Sequence, residues 1–352
     1  MRSFSGASIL RSLAVLVVLA ILAGACGQGS TSGGSASEPP SGEEDSLVVY
    51  SGRNEELVGP IIERFEEENR IDVEVRYGDT AELAATILEE GENSPADVFF
   101  AQDAGALGAV AERGLLRELP ENALGKVEER FRDPDGRWVG ISGRARVVVY
   151  NTEALSEGGL PDSILGFTDP RWRGRIGWAP TNASFQAFVT ALRVTEGEEV
   201  AREWLEGIQA NQPRVYEDNL PIVEATASGE IEVGFTNHYY LFRLLEERGE
   251  GVPARNFYTK NGDPGALVNV AGIAILNTTQ NAAEAEEFLN FMLSEEAQRY
   301  FADETFEYPL IGGIPINERL VPLSEIETPN IDLGALEDLE GTLDLLRETG
   351  VL

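Results

Sequence analysis

From residue 46 onward, short apolar runs alternate with stretches whose apolar residues recur every three or four positions. Leu47-Val48-Val49-Tyr50 is a continuous apolar run bounded by turn residues, the pattern of a strand buried on both faces. Leu57, Ile61 and Phe65, with Val58 and Ile62 beside them, predict a helix. Asn54 is its expected cap, and Pro60 predicts a kink or a later start. Val73 to Tyr77 alternates as a strand. Thr80 is expected to cap a helix carrying Leu83, Ile87 and Leu88 that ends at Gly91. Further strands are predicted at 97–100, 147–150, 231–235 and 270–275, and amphipathic helices at 282–301 and 335–347.

Strands alternating with helices over about 300 residues predict an α/β fold with mostly parallel sheets. No phosphate-binding loop and no GxGxxG follows the first strand, which leads instead into Ser51-Gly52-Arg53-Asn54. Helix starts behind the carboxyl ends of parallel strands are where such sheets hold anions and small ligands. A ligand cleft is therefore expected there.

The N-terminal stretch has a different character. Arg2 and Arg11 flank the start of an apolar run, Leu13 to Leu22, followed by Ala23-Gly24-Ala25-Cys26. That is the layout of a secretory signal, and it is too short for a membrane span of about twenty residues. Its end resembles the lipobox of bacterial lipoproteins, although Ala23 stands where Leu is usual and Leu22 is one place further back. Residues 1–25 are read as a lipoprotein signal peptide and Cys26 as the lipidated residue, with plain secretion the alternative. Residues 26–45, rich in Gly, Ser and Pro, read as a flexible tether. The protein is expected outside the cytoplasm, held to the cell membrane by lipid.

Composition narrows the chemistry. The 352-residue chain has 27 Lys+Arg against 61 Asp+Glu, a net charge of −34, which disfavours nucleic acid and anionic lipid as partners. With one His and one Cys, a disulfide framework, a structural zinc site and a Cys-His pair are excluded by counting. No nucleophile–base pair is identifiable, so an enzyme is not expected.

Tyr239 and Tyr240 are the most informative pair. In a strand, adjacent side chains face opposite ways; they converge only where a strand gives way to a helix, as is expected after Phe235. A phenolate is a hard anionic donor with an ordinary pKa near 10, and Fe³⁺ is a cation able to hold it deprotonated at neutral pH. His238 beside the pair is expected to be structural or exposed.

Several segments together carry a resemblance: VVYSGRNEELV, SPADVFFAQDAGALGAV, SGRARVVVYN, WRGRIGWAPTNASF and GEIEVGFTNHYYLFRL. The chain resembles the periplasmic ferric-iron-binding proteins of bacterial ABC importers from about Leu47 to beyond Pro315. The resemblance implies a two-lobe periplasmic-binding-protein fold of type II, with residues 46–145 and 269–320 in the first lobe and 146–268 in the second. A C-terminal helical segment, 321–352, packs on the second lobe. It also implies capture of Fe³⁺ with a synergistic anion such as phosphate or carbonate, and delivery to ABC permease and ATPase subunits by a monomer.

Carried over by position, Tyr239 and Tyr240 match the paired iron tyrosines. Asn182, Ala183 and Ser184 match an anion-holding segment, and Asn219 and Asn237 match two anion-contacting asparagines. Arg146 or Arg144 adds a charge-assisted contact, and Arg53, Asn54, Gln102 and Asp103 are further cleft candidates. The chain also departs from the pattern. One branch has His where this chain has Asn54 and Glu where it has Gln102; the other has tyrosines at the positions of Glu55 and Phe185. Glu55 is the favoured further metal ligand and Asp103 the second, with water and the anion completing the shell as the alternative. A carrier of the same fold for another anion or small organic solute, without iron, is the alternative function.

Overall fold

The structure is a computed structural model whose described residues are 46–352; the expected signal peptide, the expected tether and Cys26 lie outside them. The first element, β1 (Ser46–Ser51), runs into α1 (Glu55–Asn69), whose Asn54 cap accepts the Glu56 amide as expected. Pro60 neither delays nor ends α1. It lies on the exposed side, where water can replace the amide it lacks. β2 (Asp72–Tyr77) leads to α2 (Thr80–Glu90), and here the cap differs from expectation. The Asp79 carboxylate accepts the Ala81 and Glu82 amides, while the Thr80 hydroxyl donates to the Gly52 carbonyl. β3 (Val98–Ala101), α3 (Ala104–Glu112) and the short α4 (Glu121–Leu124) follow.

β4 (Val139–Asn151) is 13 residues long, far beyond the four expected, and every one is buried. After it come β5 (Ile176–Trp178), α5 (Ala183–Glu196), α6 (Glu198–Ala210), β6 (Arg214–Val215) and α7 (Asn219–Ala227). β7 (Val233–Asn237), α8 (Tyr239–Arg248), β8 (Ala254–Phe257) and β9 (Val268–Ile275) complete the middle of the chain. The predicted helix 282–301 is two helices, α9 (Ala282–Met292) and α10 (Glu295–Asp303), because Ser294 caps a new start through the Ala297 amide. β10 (Tyr308–Pro309) is short. The predicted helix 335–347 is a 3₁₀ turn, Leu333–Leu336, and α11 (Leu339–Glu348), separated by the Asp338 cap.

The strand order is β2-β1-β3-β9-β4-β7-β5-β6, with β8 and β10 also on β4. The outer strands pair in parallel: β1 with β2 and β3, and β5 with β6 and β7. Every pairing of β4, and that of β3 with β9, is antiparallel. The sheet is thus mixed rather than mostly parallel, because two long strands run against the βα units they join. β4 changes partners midway. Val139–Ala145 pairs with β9, whereas Arg146–Asn151 pairs with β7 and β8.

Two apolar cores follow. The larger gathers β1, β3, β9, α1 and α9, with Phe65 edge-on to Phe288 at 5.1 Å. The smaller holds Trp172, Trp178, Phe185, Phe188, Trp204 and Phe235. Leu345 and Leu346 of α11 join this second core, and α11 packs on α5. Trp204 lies against Phe188 at 5.2 Å and Phe235 at 5.7 Å, and its indole N–H donates to the Ile164 carbonyl. Trp204→Ala should therefore cost about 3–5 kcal/mol, read as a fall in the urea midpoint at unchanged slope.

Candidate functional site

The carboxyl ends of β1, β3, β5 and β7 each lead into a helix start, where Arg53, Asn54, Gln102, Asp103, Asn182 and the two tyrosines sit; Asn219 opens α7 after β6, Asn237 ends β7, and Arg144 and Arg146 lie within β4. Asn54 caps α1, Asp103 caps α3, Asn182 caps α5 and Asp218 caps α7. A cavity of about 330 Å³ is lined by Arg53, Asn54, Glu55, Gln102, Asn182 and Ala183, among others. It thus joins residues from turns 130 positions apart in sequence. Glu55, one of the proposed metal ligands, is exposed at this cavity in the first turn of α1. Asp103 is buried and committed to the Ala106 amide as a cap; burial raises its pKa, opposed by that amide and by Arg144.

Tyr239 and Tyr240 open α8 directly after β7, at the strand-to-helix change. Their rings stack at 4.2 Å between centroids with an interplanar angle of 28°, so they do not splay. Both are buried, and the Tyr239 hydroxyl has no hydrogen-bond partner among the described residues. Burial raises both pKa values, opposed at Tyr239 by the guanidiniums of Arg53 and Arg144.

His238 is structural. The Ala145 amide donates to its Nδ1 at 3.1 Å, which leaves the proton on Nε2 to bond the Phe306 carbonyl at 2.8 Å. Burial pushes its pKa down to about 4, so the ring is neutral and both nitrogens are engaged. It ties the start of α8 to β4 and to the segment before β10.

Arg146 gathers the anion candidates. Its Nη1 donates to Asn237 Oδ1 at 3.0 Å and, at 3.4 Å each, reaches Ser184 Oγ and Asn219 Oδ1. Asn182 Oδ1 accepts the Ser184 amide and the Asn219 side-chain amide, and its own Nδ2 donates to Asp218. All the partners of Arg146 are neutral. Burial and the nearby Arg144 lower its pKa to about 9, as expected for a cation short of counter-charge.

Glu307 was not legible as a site residue in sequence, one carboxylate among 61 acidic residues. It is fully buried and accepts from Arg53 Nη2 and from the Ser142 hydroxyl. Its one available signal was local: an acid between Phe306 and Tyr308-Pro309-Leu310 is costly unless paired. Phe185 takes no part in this chemistry. It packs edge-on to Trp178 at 5.5 Å in the second core.

Among the described residues no group of three or more His, Cys, Asp or Glu side chains is placed to hold a metal. A metal in the cleft would need the tyrosines or ligands brought by the cargo. A larger groove of about 840 Å³, lined by Glu118, Asp133 and Asp135 among others, holds none of the candidate residues. The Asp133 and Asp135 carboxylates in it are spent on Arg137. No helix among the described residues is long and apolar enough to cross a membrane.

Comparison with known proteins places this arrangement. Residues 93–330 match the family model of bacterial extracellular solute-binding proteins. The chain is 33% identical over 308 residues to the major ferric iron-binding protein of Neisseria meningitidis serogroup B, covering 87% of this chain and 93% of that one. The iron-bound HitA structure from Pseudomonas aeruginosa superposes with a TM-score of 0.83 at 35% identity, over 87% of this chain and 99% of that one. A Trichodesmium protein (IdiA, FutA) in complex with iron and citrate superposes at 0.74 with 27% identity, again over 87% and 99%. With its α/β fold, its cleft at the strand ends and a match of this extent, the chain belongs to the family of bacterial extracellular solute-binding proteins.

Proposed function

We propose that the protein is the lipid-anchored binding component of an ABC importer that captures Fe³⁺ outside the cytoplasm and hands it to a permease and its ATPase. The observation that carries this reading is the stacked, buried Tyr239–Tyr240 pair, whose Tyr239 hydroxyl has no hydrogen-bond partner among the described residues and lies under the influence of the Arg53 and Arg144 guanidiniums. A phenol buried without an acceptor is costly, and coordination by a hard trivalent cation removes that cost while displacing the proton. The names of its relatives, ferric iron-binding proteins, point the same way.

In this reading the iron is held by the two phenolates, with Glu55 of α1 closing on it from across the cleft. An oxyanion such as phosphate or carbonate sits on Arg146, Ser184, Asn219, Asn237 and the start of α5 at Asn182 and Ala183. Residues 46–145 with 269–320, and residues 146–268, act as two lobes. The chain crosses between them at Ala145–Arg146 and at Val268–Asn269, and near both the Arg146 amide donates to the Leu267 carbonyl. Cargo touching both lobes favours the closed state by its differential affinity. The permease, the ATPase and the lipid on Cys26 belong to the same proposal, and the protein works as a monomer.

Adding ferric nitrilotriacetate to metal-stripped protein should produce a visible phenolate-to-iron band. Tyr239→Phe with Tyr240→Phe should abolish it while leaving the thermal midpoint unchanged or higher; a band that survives the double change would remove iron from the site. Each phenol must lose its proton on binding, so about two protons should be released per iron and affinity should rise with pH. Potentiometric titration of the uptake reads this directly. Arg146→Gln should weaken iron binding in phosphate buffer about 10- to 100-fold, the worth of a lost charge-assisted contact, measured by chelator competition.

A further inference from the structure

The helices α1, α3, α5 and α7 each begin under an Asn or Asp side chain that accepts a backbone amide; α8 has no such cap among the described residues. His238 stands in its cap position, and Tyr239 and Tyr240 are its first two residues. They lie in the turn whose amides no carbonyl of the helix can satisfy, and an uncapped turn frays readily. What holds this turn instead is the His238 residue itself. Its ring Nδ1 accepts the Ala145 amide and its own amide donates to the Ala145 carbonyl, so it is bonded twice to β4 where that strand changes partners. From the far side of the ring, Nε2 donates to the Phe306 carbonyl. The ring stacks on Tyr308 at 4.8 Å, and Phe306 packs against Phe242, one turn along α8, at 5.9 Å.

The segment at the other end of that bond is itself tightly held. Phe306 lies just beyond α10 at φ +58°, the left-handed conformation for which helix ends ordinarily use Gly and which strains an aromatic residue. Strain of this kind persists only where the surroundings over-determine the chain. They do so here. The Glu307 carboxylate accepts from Arg53 in the β1–α1 turn and from Ser142 of β4, and Tyr308 pairs with Gly143. Arg53 in turn lines the cleft cavity together with Asn54 and Glu55. Three consecutive residues thus refer both sides of the candidate site, the tyrosine pair and the turn carrying Glu55, to one fixed segment.

We propose that His238 is a positioning residue for iron capture: its bond to Phe306 takes the place of a helix cap and sets the Tyr239–Tyr240 stack in register with the β1–α1 turn. The inference rests on the iron-carrier reading above, and one arm of its test needs no iron. His238→Gln can return a donor to the place of Nε2 and keep the Phe306 bond. His238→Asn reaches only toward Ala145, and His238→Phe keeps the ring volume with neither bond. Crystal structures of the metal-stripped full-length proteins should show the two tyrosine rings stacked in the unaltered protein and the Gln variant, and parted in the Asn and Phe variants. By chelator competition the Asn and Phe variants should bind iron about tenfold more weakly, the worth of a lost cap, and the Gln variant nearly as tightly as the unaltered protein. Their phenolate-to-iron band should also change wavelength. Leu289→Ala, a destabilising change in the first core, should lower the thermal midpoint while moving neither band nor affinity. Rings that stay stacked in the Asn and Phe variants overturn the proposal whether or not iron binds. Equal iron binding by the Gln and Asn variants overturns it too. If the Phe variant fails to fold, the Asn variant carries both readings. Rings that part in a protein that never shows an iron band would count against iron alone, so the two failures separate.

Discussion

A strand that pairs with two sets of partners has to place some residues at the point where it leaves one set and joins the other. In β4 that point falls at Ala145 and Arg146, where pairing with β9 gives way to pairing with β7. Arg144 and Arg146, two residues apart, project to one side of the strand at this seam. The apolar neighbours on both sides exclude water, and cations confined there must find negative charge nearby. Glu307 supplies part of it through Arg53, from a segment 254 positions away in sequence. The tyrosines, the asparagines and the helix starts converge on the same seam because strand ends and helix N-termini meet there.

The electrostatics of this region run against ordinary folding economy. Removing charges from water costs several kcal/mol each, and a buried ion pair seldom returns more than that. Here the guanidiniums exceed the buried carboxylates, and several of their N–H groups have no acceptor among the described residues. A structure optimised for stability alone would not keep such a cluster. Its retention is intelligible if the missing negative charge is delivered by the ligand, which converts stored desolvation cost into binding affinity.

Much of the architecture could be read from periodicity, because the strands buried on both faces are continuous apolar runs and the helices carry apolar stripes. The misreadings have local causes. Asp79 outcompeted Thr80 as a cap, since a carboxylate one residue earlier reaches two amides. Ser294 and Asp338 interrupted apolar stripes that continued across them, so a single period spanned two elements. β4 was underestimated because Gly140, Gly143, Arg144 and Arg146 do not look like strand interior until the sheet surrounds them. At the site, the convergence of the tyrosine rings was foreseeable from a strand-to-helix change, whereas Glu307 depended on a long-range pairing that no local pattern encodes.

The neutral bridge made by His238 has one more consequence. The chain has a single imidazole, and that imidazole is fastened at both nitrogens and protonates only near pH 4. The usual sensor of mild acidity is therefore out of action within the folded region. A drop from neutrality to weakly acidic surroundings would leave this ring uncharged, and any release of cargo on acidification would have to originate somewhere other than in an imidazole switch.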